Sequence, residues 1–149
     1  MPKPSPRATL PRSARIRSSR AFVGVFRSGL RASDNFITLH AATNEETVAR
    51  LGISVGRRFG GAIRRNRIKR LVREAFRRIR HELPPGVDYV VVPRPGPEPD
   101  VDHLQASLRT LAQRLWAKLQ RERLGQRGSG PGRASQSGRG GADKLSSRK

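Results

Sequence analysis

The chain has 149 residues, with 32 Lys and Arg against 11 Asp and Glu, which gives a formal net charge of +21 and a pI near 12.0. So large an excess of positive charge needs a polyanion to neutralise it, and nucleic acid fits best because bound phosphates release their counterions. The lack of cysteine excludes disulfides, thiol catalysis and Cys-ligated zinc, and no apolar run approaches the roughly 20 residues that cross a bilayer.

Both ends of the chain have compositions typical of disorder. Residues 1–14 are basic and contain four prolines, which predicts a disordered arm. Residues 125–149 are rich in Gly, Ser, Gln and Arg, and they carry too little apolar surface to offset the entropy of ordering. We therefore expect one folded domain over residues 15–124, between two disordered basic segments, in a cytoplasmic protein.

The first elements of the domain are predicted to be a helix and a strand. Residues 20–27 form the helix, with Ser19 as its cap and Gly29 ending it in the left-handed conformation. Residues 35–42 alternate with the period of a strand. The sequence does not decide which face of this strand meets the helix, the face of Phe36, Thr38 and His40 or that of Ile37 and Leu39.

The remaining elements alternate between strand and helix. Residues 47–55 predict a second strand, residues 65–82 a long helix and residues 87–92, a continuous apolar run, a buried strand. Asp100 can cap a final helix. That helix carries an apolar stripe of Leu104, Leu108, Leu111, Leu115 and Leu119.

The long helix of residues 65–82 separates apolar from basic side chains. At 3.6 residues per turn, the side opposite its apolar stripe carries Asn66, Lys69, Arg70, Arg73, Arg77 and Arg80. A solvated helix face usually mixes charges, but Glu74 is the only acid inside this basic stretch. Arginine outnumbers lysine, which favours bidentate contacts with phosphates. The sequence therefore predicts a nucleic-acid contact here and not an ordinary solvated face.

Residues 62–76, with the run Arg65-Asn66-Arg67 at their centre, resemble the signature of the bacterial ribonuclease P protein family. Residues 51–60 and 88–92 resemble two strands of that family, and residues 15–29 resemble its N-terminal pattern. The resemblance implies one two-layer α+β domain, with a mixed four-stranded sheet, three helices and a left-handed strand–helix–strand crossover. Local handedness rules alone would favour a right-handed crossover.

The resemblance also implies a function. It is that of the protein subunit of ribonuclease P, which assists a catalytic RNA in removing the 5′ leader from precursor tRNA. The implied partners are the catalytic RNA subunit and precursor tRNA, with no membrane and no protein partner evident, and Mg²⁺ is held by the RNA subunit, which performs the chemistry. The RNA-binding residues would be Arg57, Arg58, Arg64, Arg65, Asn66, Arg67, Lys69, Arg70, Arg73 and Arg77.

In this family a cleft between the first helix and the sheet receives the single-stranded leader, and the residues implied for it are Arg15, Arg17, Phe22 and Phe26. On the sequence alone, the two phenylalanines are more simply core residues, since they are four apart on one helix face. Aromatic rings beside a basic groove are, however, typical of proteins that hold single strands by stacking. We expect Phe22 to contact the leader and Phe26 to be the more buried of the two.

The sequence shows no active site for a protein nuclease. Such a site needs clustered carboxylates that hold metal ions, or a paired acid and base. His40, His81 and His103 fall in three separate elements, and the acidic residues suit turns and helix starts. The main alternative function is that of a ribosomal RNA-binding structural protein, which would share the charge and the tails but would not need the Arg-Asn-Arg helix. A DNA-binding module is less well supported, since no helix-turn-helix pattern is present.

Overall fold

The computed structural model describes residues 10–44 and 46–136, with side chains as far as residue 125. Over these residues the chain forms α1 (Ser19–Arg27), β1 (Arg31–Ser33), β2 (Ile37–Thr43), β3 (Arg50–Ile53), α2 (Ala62–Ile79), β4 (Val87–Pro93) and α3 (Val101–Gln136). Short 3₁₀ turns lie at Arg12–Ala14, Arg57–Phe59 and Arg80–Glu82. The chain divides into two units, Met1–Trp116, which holds the sheet, and Ala117–Lys149, which holds the end of α3.

The four strands form one mixed sheet in the order β1-β2-β4-β3. The pairs β1–β2 and β2–β4 are antiparallel, and β3 runs parallel to β4. Val90 is the register partner of both His40 and Gly52, so these three residues lie side by side across the sheet. The predicted mixed sheet with three helices is confirmed, and the left-handed sense of the β3–α2–β4 crossover stays a prediction.

Helices cover both faces of the sheet. The ring of Phe76 on α2 meets that of Tyr89 at 6.4 Å, on the face to which Leu39 also belongs. The ring of Phe26 on α1 meets that of His40 at 4.6 Å on the opposite face. A two-layer description therefore fits the α2 side alone, and α1 adds a further layer over the other face.

The core lies on the α2 side of the sheet. Strand β2 contributes Ile37, Leu39 and Ala41, whose side chains are fully buried. The apolar stripe predicted for the long helix is buried as well, in Ile68, Val72, Ala75, Phe76 and Ile79. Burying each large apolar side chain stabilises the fold by about 1.5–3 kcal/mol, so this face of α2 is committed to packing and its other face is left for contacts.

Local signals fix the helix ends much as the sequence predicts. The Oγ atom of Ser18 accepts from the backbone N–H of Ala21 at 2.9 Å, so the cap of α1 lies one residue before the predicted Ser19. Gly29, with φ of 76°, ends the helix in the left-handed region as predicted. Asp100 caps α3 as predicted, since its Oδ1 accepts from the N–H of His103 at 2.8 Å.

The folded domain begins earlier than residue 15, the predicted start. Leu10 and Ala14 are buried, with 3% and 0% of their surface exposed. Arg15 then pairs with Leu51 in a parallel bridge, and the N–H of Ile16 donates to the carbonyl of Leu51 at 2.9 Å. Hydrophobic burial and edge pairing thus order this segment despite its proline content.

The predicted C-terminal tail begins inside a helix, because α3 continues past residue 125 to Gln136. The predicted disorder of residues 1–9 and 137–149 falls outside the described residues.

Candidate RNA interface

The two phenylalanines of α1 face the sheet: Phe22 lines a pocket with Gly52 and Ile53, and Phe26 contacts His40. We call this surface between α1 and the sheet the cleft. The rings of Phe22 and Phe26 are 5.6 Å apart, and the ring of Phe26 lies 4.6 Å from that of His40. The strand face that meets α1 is therefore the one that carries Thr38 and His40, which the sequence left undecided. The other face of β2 turns its apolar side chains into the core.

The expectation that Phe26 is the more buried phenylalanine is wrong. Phe26 has 37% of its surface exposed, whereas Phe22 is half-buried. The reason is that the ring of Phe22 lies close to Gly52, in a pocket that Ile16 also lines, while Phe26 contacts Phe22 and His40 and keeps its outer side open. The α1 residue that serves as core is Val25, with 1% exposed. Both rings are thus available at the cleft, and Phe26 is the more open.

His40 is a cleft residue to which sequence analysis assigned no role. Burial, and to a smaller extent the positive charge of Arg31, lower the pKa of its imidazole below the ordinary value of 6.5. Its Nδ1 atom is buried without a hydrogen-bond partner in the part of the chain that the structure describes. The ring is therefore neutral at physiological pH and presents an uncharged aromatic surface. In the sequence, the alternation that places Thr38 and His40 on the same face of β2 was the one signal that could have indicated His40 as a cleft residue.

Two arginines predicted for the cleft flank Phe22 on different sides. Arg15 lines one pocket beside Phe22, together with Lys69 and Arg73 of α2. Arg17 is exposed and lines a separate shallow pocket with Phe22 and its neighbours on α1. The predicted cleft residues therefore lie together, and Arg15 brings them to the edge of the basic helix.

Apart from Arg64, the basic residues of α2 fall into two groups. Arg67 pairs with Glu98 at 3.1 Å, and Arg77 and Arg78 pair with Glu74 at 2.7 Å and 2.8 Å. In contrast, no described carboxylate forms an ion pair with the second group, which we call the unpaired row: Arg65, Lys69, Arg70 and Arg73. The sequence indicated Glu74, but Glu98 reaches α2 from the loop after β4.

The remaining predicted RNA-binding residues lie around the start of α2. Arg64 has a structural role, because its guanidinium donates to the carbonyls of Phe59 at 3.0 Å and Gly96 at 3.3 Å and covers the ring of Phe59. Arg57 and Arg58 are exposed in the turn before the helix, and Asn66 is exposed near the start of the helix. These three side chains extend the unpaired row towards the loop.

Sequence analysis did not predict the ion pair between Arg50 and Asp88, whose side chains are 20% and 6% exposed. Arg50 donates through Nε and Nη2 to the two carboxylate oxygens of Asp88, at 2.7 Å and 2.8 Å. The Nδ2 atom of Asn44 donates to the same carboxylate at 2.7 Å. These contacts join the start of β3 and the end of β2 to the central strand β4. No local pattern predicts them, because Arg50 and Asp88 are far apart in sequence.

Two classes of feature are absent from the described residues. No group of three or more His, Asp and Glu side chains among them could hold a metal ion. No helix in the same part of the chain is long and apolar enough to span a membrane.

An α+β domain with an open aromatic surface beside a row of unpaired cations has the features of an RNA-binding protein. The family model described as Ribonuclease P matches residues 10–116. The ribonuclease P protein component of Brevibacillus brevis is 42% identical over 88 residues, which cover 58% of this chain and 70% of that protein. The corresponding protein of Chlamydia trachomatis serovar L2 is 40% identical over 103 residues, covering 68% and 85%.

A solved structure, that of the ribonuclease P protein from Thermotoga maritima, is similar to this fold. It has a TM-score of 0.61 and 36% sequence identity, and the match covers 67% of this chain and 96% of that one. The chain therefore belongs to the ribonuclease P protein family. It is accordingly the protein component of a ribonucleoprotein endoribonuclease, and the ribosomal alternative has no support from these comparisons.

Proposed function

We propose that this chain holds the 5′ leader of precursor tRNA in the cleft between α1 and the sheet while α2 binds the catalytic RNA. One observation carries the proposal. The open ring of Phe26, which contacts that of His40, lies on the same domain as the four cations of the unpaired row, with which no described carboxylate pairs. An aromatic surface and uncompensated positive charge are the two features that single-stranded RNA requires of a protein.

Leader binding at this cleft would be tolerant of sequence. Every base has a π face, so a base stacks on Phe26 whatever its identity, at a gain of roughly 1–3 kcal/mol per base. The neutral ring of His40 packs against Phe26 and supports it from the sheet. Arg17, exposed beside Phe22, adds a cation for the leader backbone.

The unpaired row of α2 would bind phosphates of the catalytic RNA, with Arg57, Arg58 and Asn66 extending the contact. Each phosphate that a cation neutralises releases counterions, which makes affinity fall steeply with salt. Supplying fixed cations in this way reduces the Mg²⁺ that the RNA needs to fold and to bind its substrate. In this proposal Mg²⁺ belongs to the RNA subunit, which performs the cleavage, and the particle acts in the cytoplasm.

The proposal is tested by reconstitution with a catalytic ribonuclease P RNA and precursor tRNA. Protein free of RNA should leave the substrate intact at every Mg²⁺ concentration, and adding it to the RNA should lower the Mg²⁺ needed for mature 5′ ends. Shortening the leader should remove most of the protein's effect on substrate affinity. Cleavage by the protein alone, or an effect independent of the leader, would contradict the proposal.

A further inference from the structure

We propose that Arg15, Lys69 and Arg73 form a binding site for one backbone phosphate of the leader, beside the ring of Phe22. The inference rests on the proposed function and deepens it. The proposed site connects the cleft with the basic side of α2, two surfaces that the sequence indicated separately.

The site is a pocket of about 190 Å³ at the edge of β3. Its floor is apolar and comes from the strand, with Leu51, Gly52 and Ile53. Arg15 reaches it from the segment that pairs with Leu51. Lys69 and Arg73 reach it from α2, where a spacing of four residues places them on the same helix face.

The pocket holds three cations and no acid among its lining residues. Arg15 makes one hydrogen bond there, from Nε to the carbonyl of Leu10 at 3.1 Å, which leaves its terminal nitrogens for a ligand. Lys69 and Arg73 form no ion pair with any carboxylate that the structure describes. Three convergent donors on an apolar floor suit a compact oxyanion such as a phosphodiester.

The electrostatics of Arg73 agree with this geometry. Burial, and then the positive charges of Arg15 and Arg70, lower the pKa of its guanidinium. Elsewhere on the same helix a carboxylate offsets such repulsion between positive charges. Glu74 pairs with Arg77 and raises the pKa of that guanidinium. An anion bound between Arg15 and Arg73 would remove the same repulsion.

The leader is the source of phosphate that the surroundings favour. Phe22 lines the same pocket, and a base stacked on its ring would carry its own phosphate towards the three cations. The catalytic RNA is the other possible source, because Lys69 and Arg73 belong to the unpaired row. The experiment must therefore distinguish the two RNAs.

The test uses a series of precursor tRNAs, each with one leader phosphate replaced by a neutral methylphosphonate, bound to the reconstituted holoenzyme. Replacement of the phosphate at one leader position should reduce the affinity of the wild-type holoenzyme by about tenfold, which is the effect of losing one charge-assisted contact. Arg15→Ala should lose that sensitivity while binding mature tRNA as the wild type does. Arg73→Gln, compared at protein concentrations that saturate the catalytic RNA, should lose the sensitivity as well. Arg78→Ala, which affects an arginine paired with Glu74, should keep it.

Two outcomes would overturn the inference. If every modified leader weakens the wild type and the variants equally, no leader phosphate depends on the pocket. If Arg73→Gln weakens precursor and mature tRNA alike, the phosphate belongs to the catalytic RNA. Failure of the proposed function itself would look different, since the wild type would then bind precursor and mature tRNA equally well.

Discussion

The ring of Phe22 lies so close to Gly52 that a side chain at position 52 fits only if the ring moves. A Cβ atom there would come within 2.8 Å of Cε1 of Phe22 and 3.3 Å of Cδ1 of Ile16. Gly52→Ala should therefore displace the ring of Phe22 and lower the affinity for precursor tRNA by about tenfold, the value of one stacked base. Binding to mature tRNA should stay unchanged, and paired binding assays with the two tRNAs measure the difference.

Gly24→Ala is the matched control, because a Cβ at Gly24 meets no atom within 4 Å. It lies inside α1, where alanine should raise the free energy of unfolding by roughly 0.5–1 kcal/mol. If Gly52→Ala binds both tRNAs as Gly24→Ala does, the position of the Phe22 ring is irrelevant to the leader.

Phe26→Ala should separate leader binding from stability. Because 37% of Phe26 is exposed, its removal should cost well below the 3–5 kcal/mol that is typical, roughly, of a fully buried phenylalanine. Affinity for precursor tRNA should fall about tenfold, with little change for mature tRNA. Val25→Ala, at the buried neighbour, should instead lower the free energy of unfolding and affect both tRNAs alike. Denaturant melts together with binding assays distinguish the two variants. If Phe26→Ala lowers stability and affects both tRNAs as Val25→Ala does, Phe26 is a core residue.

His40 should make the protein less stable in mild acid. Its pKa is lowered below 6.5 in the fold, so the unfolded chain takes up a proton more readily than the folded one. The free energy of unfolding should then fall as the pH drops through and below that ordinary value. His40→Gln should flatten this dependence, while His81→Gln, at an exposed histidine, should leave it in place. Urea melts across this pH range measure it, and identical profiles for wild type and His40→Gln would refute the assignment.

The unpaired row of α2 should dominate the salt dependence of binding to the catalytic RNA. Arg70→Ala should weaken binding and flatten the slope of log affinity against log salt by roughly 0.7–0.9 for each phosphate that is no longer neutralised. Arg78→Ala removes the same charge from the same helix, but that charge is partly offset by Glu74, which Arg78 shares with Arg77, so the slope should change less. Equal slopes for the two variants would mean that net charge alone, and not the row, governs binding.

The pair of Arg50 and Asp88 should be needed for stability and not for RNA recognition. Asp88→Ala should cost about 3 kcal/mol, because it leaves Arg50 without its partner where only 20% of that side chain is exposed. Glu82→Ala breaks an exposed pair with Arg109 and should change stability little. Thermal melts of the two variants provide the comparison, and equal shifts would show that the buried pair contributes no more than the surface one.

Sequence patterns predicted the features that depend on regular spacing within a single helix or strand. The period of 3.6 residues placed Val72 and Phe76 on the buried side of α2, and both are fully buried. Strand β1 gave no such signal, since its three residues, Arg31–Ser33, lack apolar alternation. It exists because it pairs with β2, where a hydroxyl contact of 2.9 Å joins Ser33 to Thr38.

Contacts between distant segments explain what the sequence could not predict at the interface. Helical spacing places Phe22 and Phe26 on one face, but what covers each ring depends on Gly52 and His40 across the cleft. The division of the α2 arginines has the same origin, because Glu98 approaches Arg67 from a loop 31 residues away. Local charge patterns identified the helix, and tertiary contacts decide which of its cations stay unpaired.

The position of β4 in the middle of the sheet has a consequence for folding during synthesis. Strands β2 and β3 each pair with β4 and not with each other, so the sheet cannot close until Val87–Pro93 has been made. Until then the apolar side of α2 has no completed sheet to pack on and is exposed to other nascent chains. An RNA that captures the cationic side of α2 at this stage would keep the unfinished protein in solution. Assembly with RNA and folding of the protein would then proceed together.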